Sequence, residues 1–243
     1  MIPNSAIATM TLARNAEESD LLIKGIEALS VFDMPVYVTD GGSTEEFTAK
    51  ISSFKNIHVL PPKTGLWSQI HQSLQTAFTS GVESILYTEP DKLDFFQKHL
   101  SGWLQKTTQY DPKGILMAGR TSEAFSSFPS FQQYTESTIN RCCEEMIKES
   151  LDFVYGPFLL NKNIIPHLNN LPSEIGWGWR SYSFGIAKRL GYKVGEIQGE
   201  FNCPGDQRVE TEKDRIYRMK QMVQNVEGLL LSAQAVIDPH FAS

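Results

Sequence analysis

The spacing of apolar residues in the first half of the chain predicts strands that alternate with helices. Short apolar runs, typical of buried strands, occur at residues 6–12, 36–39, 57–60, 84–87 and 115–117. Between the runs, apolar residues recur every three or four positions, as at Leu22, Ile26 and Leu29 and again over residues 66–78. Strands separated by helices of this length indicate an α/β fold with a doubly wound, mostly parallel sheet flanked by helices.

The second half of the chain has a less regular pattern. It predicts a Ser- and Phe-rich loop over residues 121–133, a helix over 139–150, and a strand over 153–160 that Gly156 and Pro157 interrupt. A further helix then ends at Gly191, where a short strand follows.

A long helix is predicted near the end of the chain, from about Thr211 to Ala233. Thr211 followed by Asp214 indicates a capped N-terminus. One face of this helix is an apolar stripe that consists of Ile216, Met219, Val223, Val226 and Leu230. Such a stripe usually faces the core, so we expect the helix to bury it. We therefore divide the chain into a domain of residues 1–205 and a C-terminal helical extension, residues 206–243, packed on the same domain.

The composition of the chain limits the classes of partner that we expect it to bind. With 243 residues and 41% hydrophobic residues, the chain is long enough for a sizeable core. A net charge of −6 argues against a broad nucleic-acid surface, and no apolar run approaches the ~20 residues of an integral membrane segment. The start of the chain lacks a signal-peptide pattern, and the three cysteines form no disulfide framework. We therefore expect a cytoplasmic protein.

Polar residues follow the predicted strands where open α/β sheets bind ligands. Asp40-Gly41-Gly42 ends the second strand, and Glu89-Pro90-Asp91 follows the fourth. Both segments are also ordinary turns, because Asp, Gly and Pro favour chain reversal. The alternative is chemical, since an acidic pair can hold a divalent cation and a carboxylate can accept a hydrogen bond from a ligand. The residues alone leave the two interpretations open.

The order of these segments resembles the GT-A glycosyltransferases, and the resemblance is closest to their family 2-like members. It rests on "VYVTDGGST", "KTGLWSQIHQSL", the acid-x-acid triplet after the fourth strand, "GPFLLNKNII" and "AKRLGYKV", and it covers roughly residues 6–194. The resemblance implies a nucleotide-diphosphate sugar donor, Mn²⁺ or Mg²⁺ as cofactor, and a small-molecule or glycan acceptor. It also implies a GT-A-like sheet with the C-terminal helical extension added.

Donor-binding residues follow from the resemblance. It implies that Asp40 and Gly41 meet the nucleoside, with Arg14 and Asn15 at the exit of the first strand as secondary candidates. Lys63 stands at the entry to a helix, where a cation and a helix N-terminus suit a phosphate. Lys92 departs from the family pattern, and it either assists the diphosphate or pairs with Asp91.

Metal ligands follow in the same way. The resemblance implies that Asp91 is a direct ligand and that Glu89 reaches the metal through water or contacts the ribose of the donor. Some GT-A enzymes complete the metal shell with a late histidine, which makes His240 a candidate ligand.

The main departure from the family concerns the catalytic base. Where inverting members place an acidic residue, this chain has "GWGWRSYSF", with Trp179 and Arg180. Glu174 is the nearest upstream carboxylate and the candidate base, and Asp152 is another possibility. Arg180 would suit an anionic acceptor. Either Glu174 acts as the base, or the reaction retains configuration and needs none, or catalysis has been lost.

The sequence thus predicts a metal-dependent glycosyltransferase that uses a nucleotide-diphosphate sugar and a small acceptor, which the arginine predicts to be anionic. Two alternatives stay open. One is a GT-A-like protein that binds a nucleotide sugar without catalysis. The other is a sugar-phosphate nucleotidyltransferase, although "TLARNAEES" lacks the glycine-rich loop typical of that class.

Overall fold

The computed structural model describes residues 4–110 and 114–237. Its strands, in chain order, are β1 (Ser5–Thr11), β2 (Val36–Asp40), β3 (Ile57–Leu60), β4 (Ser84–Tyr87), β5 (Gly114–Arg120), β6 (Phe158–Asn161) and β7 (Lys193–Gly199). Its helices are α1 (Ala16–Ser30), α2 (Glu45–Ser52), α3 (Leu66–Thr79), α4 (Leu93–Lys98), α5 (Leu100–Thr107), α6 (Ser122–Ser126), α7 (Ser130–Ile147), α8 (Gly178–Arg189) and α9 (Glu212–Gln234). These elements form two compact units.

The first unit comprises residues 4–110 together with Pro157–Ile165. Its strands lie in the order β3-β2-β1-β4-β6, in which the first four are parallel and β6 runs antiparallel to β4. Ala6, Ile7 and Ala8 of the central strand β1 are fully buried. A strand covered on both faces explains why this segment reads as a continuous apolar run rather than an alternating one.

The second unit comprises residues 114–156 and 166–237. Its strands β5 and β7 pair in parallel along their whole length, from Gly114 opposite Lys193 to Arg120 opposite Gly199. Helix α9 packs on α8 and α7. Across the two described ranges, no helix has the length and apolar character needed to span a membrane.

The α/β fold class predicted from the sequence is confirmed. Each of the five predicted strands of the first half forms within one residue at its start and within three at its end. The helix predicted over residues 66–78 forms as α3, and the stripe of Leu22, Ile26 and Leu29 is buried in α1. Helices α2, α4 and α5 of the same half were not predicted.

The loop predicted over residues 121–133 is wrong, because this stretch contains α6 and the start of α7. The Thr121 side chain accepts a hydrogen bond from the Ala124 N–H and caps α6. Pro129 then precedes α7, which begins nine residues earlier than the predicted helix. Serine and threonine at these positions serve as helix caps, so a composition typical of loops concealed two helix starts.

The strand predicted over residues 153–160 is also shorter than expected, since only Phe158–Asn161 forms β6. Gly156 has a φ of 136°, a conformation that interrupts an extended strand.

The prediction that α9 buries its apolar stripe is wrong. Thr211 and Asp214 form the expected capping box, and the helix spans Glu212–Gln234. Its buried residues, however, are Asn225, Gly228, Leu229 and Ser232. The five apolar residues of the predicted stripe are exposed instead. Small residues face α8 because the two helices approach closely, and the wider apolar side chains are directed away from it.

Candidate functional site

Three parallel strands of the first unit end at one edge of the sheet. Thr11 of β1 is in register with Asp40 of β2, and Ala8 of β1 is in register with Tyr87 of β4. The segments that follow these strands contain most of the donor and metal residues predicted from the sequence: Arg14, Asn15, Asp40, Gly41, Glu89, Asp91 and Lys92. The carboxyl edge of a parallel sheet is where such folds bind ligands.

Asp40 is buried, and its carboxylate forms the turn that follows β2. One oxygen accepts hydrogen bonds from the backbone N–H groups of Gly42 (2.8 Å) and Ser43 (2.6 Å). The other accepts from the hydroxyls of Thr11 (2.8 Å) and Ser43 (2.7 Å). A carboxylate has about four acceptor positions, so the turn and the Thr11 hydroxyl together occupy all of them. The sequence left two roles open for Asp40, a turn residue and a nucleoside contact. The geometry favours the turn role.

The turn that Asp40 stabilises places its backbone close to the sheet edge. Gly42 has a φ of 111°, which favours glycine there, and an added Cβ would meet nothing within 4 Å. The Gly41 N–H donates to the Thr11 carbonyl oxygen at 2.8 Å. Ser43 connects two strand ends, because its hydroxyl oxygen also accepts from the Ala13 N–H at 2.8 Å. Ser43 is a positioning residue that the sequence reasoning missed.

Arg14 and Asn15 have local partners at the end of β1. The Asn15 side-chain oxygen accepts from the Glu18 N–H at 2.9 Å and caps α1. Arg14 is exposed and forms an i,i+4 ion pair with Glu18 at 3.4 Å. These contacts are typical of the start of a helix. Both residues nevertheless lie at the sheet edge, on the side of the site where the nucleoside is predicted to bind.

The segment Thr88–Asp91 is fixed by backbone contacts on two sides. The Thr9 hydroxyl donates to the Thr88 carbonyl oxygen at 2.7 Å. On the other side, the Pro90 carbonyl oxygen lies against Gly25 of α1, where even a Cβ atom would be 1.9 Å from it. Gly25 therefore lets α1 approach this loop to backbone contact. No sequence motif signalled Gly25, because it lies within an otherwise ordinary helical pattern.

Glu89 and Asp91 differ in exposure. Glu89 is buried, whereas the Asp91 side chain is exposed and makes no hydrogen bond or ion pair with another described residue. Lys92 begins α4, and its backbone N–H donates to the Glu89 carbonyl oxygen at 3.4 Å. An ion pair between Lys92 and Asp91, one of the two roles considered for Lys92, is not formed.

The donor set of these two carboxylates fits a hard divalent cation. Residues 4–110 and 114–237 contain no group of three His, Cys, Asp or Glu side chains that could hold a metal ion. Mg²⁺ needs only one or two carboxylates when phosphate oxygens and water supply the other ligands. Glu89 and Asp91 provide that number. His240, the third predicted ligand, lies outside the described residues.

Lys63 stands between Asp40 and the N-terminus of α3. Its backbone N–H donates to the Asp40 carbonyl oxygen at 3.1 Å, and its side chain is exposed. Gly65, with a φ of 94°, begins α3 without a side-chain cap, and the first turn contains no acidic residue. Helices α1, α2 and α9 each have a side-chain cap and acidic residues in the first turn. The first turn of α3 thus contributes no side chain that would neutralise the positive end of the helix.

Helix α3 is held in place by a buried serine. The Ser73 hydroxyl donates to the Thr9 carbonyl oxygen at 2.7 Å and accepts from the Thr39 N–H at 3.1 Å. Gln69, one turn earlier, is buried beside Gly41. The middle of α3 is therefore tied to β1 and β2 by hydrogen bonds.

The predicted base, Glu174, belongs to the second unit and is fully exposed on a short 3₁₀ turn. Its carboxylate accepts a hydrogen bond from the Ser173 hydroxyl at 2.6 Å, which lowers the pKa of Glu174. A carboxylate with a lowered pKa is a weak proton acceptor.

Arg180 is buried in α8 of the second unit. Its guanidinium donates to the carbonyl oxygens of Phe153 (3.4 Å) and Gly156 (3.5 Å). Both distances are at the long limit for a hydrogen bond, so these contacts are weak. Trp179 is fully buried, and the Trp177 indole N–H donates to the Tyr217 hydroxyl at 2.7 Å. Both tryptophans therefore have core contacts.

A buried ionic cluster in the second unit was missed by the sequence reasoning. Arg120, the last residue of β5, forms ion pairs with Asp152 (2.7 Å) and Glu136 (2.7 Å). Its guanidinium also lies over the rings of Phe125 and Phe128. Burial alone would raise the pKa of Asp152, but the charge and hydrogen bonds of Arg120 lower it overall. Asp152, the alternative base, is therefore held as an ionised partner of Arg120. The signal available in the sequence was the arginine at the end of an otherwise apolar strand.

Comparisons with known proteins agree with this architecture. No protein-family model matches the sequence, and a search of curated protein sequences finds no match. Solved structures do match. Glucosyl-3-phosphoglycerate synthase from Mycobacterium tuberculosis, in complex with Mn²⁺, UDP and phosphoglyceric acid, superposes with a TM-score of 0.60 at 14% identity, over 96% of this chain and 80% of that chain. The same enzyme with Mn²⁺, UDP-glucose and phosphoglyceric acid gives a TM-score of 0.59 at 12% identity, over 96% and 81%.

Mannosyl-3-phosphoglycerate synthase from Rubrobacter xylanophilus gives a TM-score of 0.61 at 14% identity, over 96% of this chain and 77% of that chain. At such low identities a structural likeness shows the fold alone. The fold implied by the sequence resemblance is confirmed: the chain has the GT-A fold of these nucleotide-diphospho-sugar transferases.

Proposed function

We propose that the protein is a metal-dependent glycosyltransferase that transfers a sugar from a nucleotide-diphosphate sugar to a small anionic acceptor. The observation that supports it most strongly is the pair Glu89 and Asp91 at the carboxyl end of β4, in a chain with the GT-A fold. The exposed Asp91 carboxylate has no partner among the described residues. This carboxylate can therefore bind a cation without giving up a hydrogen bond or ion pair of the fold.

Glu89 and Asp91 are the proposed metal-holding residues. When bound, Mn²⁺ or Mg²⁺ supplies positive charge that offsets the negative charge growing on the leaving diphosphate. Asp91 is the direct ligand in this proposal, and Glu89, which is buried beside it, is placed to act through water or on the ribose. The backbone contacts of Thr88 and Pro90 hold the segment that carries both carboxylates, which limits the backbone reorganisation needed during the reaction.

Lys63 and the N-terminus of α3 are the proposed diphosphate contacts. Backbone N–H groups at a helix N-terminus attract phosphate, and the first turn of α3 contains no carboxylate that would repel it. The turn Gly41–Ser43, held by Asp40, is the proposed surface for the nucleoside, with Arg14 and Asn15 beside it. Lys92 is kept as a second cation near the diphosphate.

A phosphorylated or carboxylated acceptor is proposed for two reasons. Glucosyl-3-phosphoglycerate synthase, one of the structural neighbours, was solved with phosphoglyceric acid. In this chain, Arg180 has a guanidinium whose two carbonyl contacts are long, at 3.4 and 3.5 Å. A phosphate or carboxylate oxygen would accept charge-assisted hydrogen bonds from a guanidinium, which are shorter and stronger than bonds to neutral carbonyl oxygens.

The stereochemical outcome proposed is retention. The candidate base Glu174 has a lowered pKa and full exposure, and the alternative Asp152 is engaged by Arg120. An inverting reaction needs a base that deprotonates the acceptor, and neither carboxylate has suitable properties. A retaining reaction, which the sequence left open, does not depend on either.

The direct test measures donor binding and turnover with the unmodified chain. Thermal denaturation is followed with UDP-, GDP- and dTDP-linked glucose and mannose, each with and without Mn²⁺. We expect one donor to raise the melting temperature only when the metal is present. The stabilising donor is then incubated with 3-phosphoglycerate or with glycerol, its uncharged analogue, and products are identified by mass spectrometry. A glycosylated product with 3-phosphoglycerate alone supports the proposal, whereas indifference to every donor contradicts it.

A non-catalytic nucleotide-sugar-binding protein is the second candidate function. The exposed, weakly basic Glu174 is the observation that favours it. This candidate predicts metal-dependent donor stabilisation without product formation for either acceptor, so the same experiment separates the two functions.

A further inference from the structure

Helix α9 has two opposite faces whose residues recur at the same intervals along the chain. One face is small or polar and consists of Arg218, Gln221, Asn225, Gly228 and Ser232. The other is the apolar stripe of Ile216, Met219, Val223, Val226 and Leu230. Both sets recur at alternating intervals of three and four residues, and at 3.6 residues per turn their centres lie roughly 160° apart. Only one of the two faces can contact the rest of the second unit.

The small face is the one that packs on α8, and the contact is close. A Cβ added to Gly228 would lie 1.9 Å from the Gly178 carbonyl oxygen, and one added to Gly185 would lie 2.0 Å from the Ser232 hydroxyl. The Asn225 side-chain oxygen accepts from the Ser181 hydroxyl at 2.8 Å. Rotating α9 to bury the apolar stripe would therefore place large side chains where only small ones fit.

The apolar stripe is exposed as a consequence. Ile216 is 57% exposed, Val223 63% and Leu230 56%, with Met219 at 44% and Val226 at 42%. Intervals of three and four place these residues at the a and d positions of consecutive heptads, with Ile216, Val223 and Leu230 at a. This arrangement is the sequence signature of a helix that packs against a second helix along a seam. A single long apolar stripe of this kind marks an interaction surface.

We propose that the apolar stripe of α9 is a self-association surface, on which the α9 helix of a second copy of this chain packs antiparallel. The inference is independent of the proposed enzymatic function. A symmetric dimer fits because the same stripe on both copies is self-complementary, and an antiparallel helix pair has the two-fold symmetry of the commonest homodimers. Val223 and Val226, in the middle of the stripe, then meet across the two-fold axis.

Charge complementarity selects the antiparallel orientation. Lys220 and Glu227 flank the stripe on the same side, at e positions, and both are exposed. In an antiparallel pair, Lys220 of each copy approaches Glu227 of the other, which gives two attractive contacts. In a parallel pair, Arg215 would instead approach Lys220 of the second copy, and the contact would be repulsive. Charges at e and g positions commonly set helix orientation in this way.

The size of the surface predicts a weak dimer. Helix α9 has 23 residues and is therefore about 34 Å long. With a width of about 10 Å, one helix face covers roughly 350 Å², less than the ~800 Å² per partner of a standard interface. We expect a dissociation constant on the order of micromolar, so that monomer and dimer exchange within an accessible range of concentration.

Sedimentation velocity on the whole chain, from about one to several hundred micromolar, tests the association. We expect a concentration-dependent shift from monomer to dimer. Val223→Glu places two like charges near the two-fold axis and should weaken the dimer by roughly tenfold or more. Val209→Glu is the matched control, because Val209 is 83% exposed and precedes α9. Since both residues are exposed, neither change should alter the melting temperature at low protein concentration.

A charge exchange tests the orientation. Lys220→Glu and Glu227→Lys should each weaken the dimer by roughly threefold to tenfold, since each converts two attractive contacts into repulsive ones. The double variant, with both changes, should restore association to near the level of the unmodified chain. A chain that is monomeric at every concentration overturns the proposal. So does a dimer that Val223→Glu leaves intact, or a double variant that stays as weak as the single ones. Flotation of the unmodified chain with anionic lipid vesicles, without self-association, would assign the stripe to a membrane surface instead.

Discussion

Two strand ends at the same edge of the first unit use their carboxylates in opposite ways. Asp40, at the end of β2, is 2% exposed and accepts four hydrogen bonds, three from its own turn and one from the Thr11 hydroxyl of β1. Asp91, after β4, is exposed and has no hydrogen bond or ion pair with another described residue. Both were predicted from the sequence as ligand-binding residues on the same grounds. The difference lies in the number of donors that the surrounding backbone and hydroxyls supply.

The comparison shows that position at a sheet edge does not by itself identify a ligand-binding carboxylate. A carboxylate whose acceptor positions are filled contributes to the fold, because its hydrogen bonds would be lost if it turned to a ligand. A carboxylate with unfilled acceptor positions can bind a ligand without losing hydrogen bonds to the protein. Asp152 extends the comparison to the second unit, where its ion pair with Arg120 makes it the most completely engaged of the three.

Asp152 should give the largest effect on stability. Asp152→Asn leaves the buried Arg120 with only Glu136 as an ionic partner, and removal of one member of a buried ion pair costs about 3–5 kcal/mol of the free energy of unfolding. Urea denaturation at pH 7 measures it. Asp20→Asn is the matched control, because the ion pair of Asp20 with Lys24 is exposed and should contribute less than about 1 kcal/mol.

The pH dependence has a definite sign. The pKa of Asp152 is lower in the folded state than the unfolded value of about 3.9, so its contribution is complete above that value and is lost as the pH falls through the folded-state pKa. The difference in stability between the unmodified chain and Asp152→Asn should therefore narrow below about pH 4. An equal difference at pH 7 and at pH 3 would contradict the ion-pair assignment.

Asp91 should give the largest effect on function. Asp91→Asn replaces the proposed charged metal ligand with a neutral one while it keeps the tendency to form a turn. We expect an unchanged melting temperature without ligands, loss of the extra stability conferred by Mn²⁺ and donor together, and turnover at least about 100-fold lower. Calorimetry and a product assay measure these changes.

Asp94→Asn is the control for this variant. Asp94 lies three residues further along and forms an exposed ion pair with Lys98, so its loss should leave donor binding unchanged. If chelation of the metal and Asp91→Asn both leave donor binding as it was, Asp91 is only a turn residue and its contrast with Asp40 disappears.

The first unit was predictable because its signals are local. Strand and helix periodicities predict the four strands up to Tyr87 and helices α1 and α3, and the parallel order of β1, β2 and β4 then brings their carboxyl ends to one edge. The position of the candidate site follows from topology alone. What no pattern revealed was the number of hydrogen bonds each carboxylate would receive, since Thr11 lies 29 residues from Asp40 along the chain.

The second unit was less predictable because its decisive contacts are long-range and steric. An amphipathic pattern indicates that α9 has two faces, but Gly178, Gly185 and Gly228 decide which one is buried. Likewise, nothing in the sequence near Arg120 identifies Asp152, 32 residues later, as its partner. Serine-rich segments were assigned to a loop because the same residues serve as caps and as loop residues.

Substitutions of Asp40 should lower the free energy of unfolding in proportion to the number of hydrogen bonds that they remove. Asp40→Asn keeps one acceptor oxygen for the N–H groups of Gly42 and Ser43, and we expect a loss of about 1 kcal/mol. Asp40→Ala leaves all four donors without their acceptor and should lose about 2–4 kcal/mol. Donor affinity is measured by calorimetry at a temperature where both variants are folded. A fully stable Asp40→Ala variant with weakened nucleotide binding would show that Asp40 is a nucleoside ligand after all, and that it resembles Asp91 more than the turn geometry indicates.

Lys63 should give the smallest effect, and it tests whether the edge between Asp40 and α3 binds the diphosphate. The Lys63 side chain is exposed, and its backbone N–H is bound to the Asp40 carbonyl oxygen at 3.1 Å. Lys63→Gln should therefore weaken donor binding by roughly threefold to tenfold without loss of stability, since an exposed charge contributes about 1 kcal/mol. The effect should shrink at high salt, and binding of the free nucleoside, which has no phosphate, should not change. Lys55→Gln is the matched control, because Lys55 is also exposed but precedes β3, at the opposite end of that strand. If both lysines weaken donor binding equally, the effect is one of overall charge, and the diphosphate does not lie beside α3.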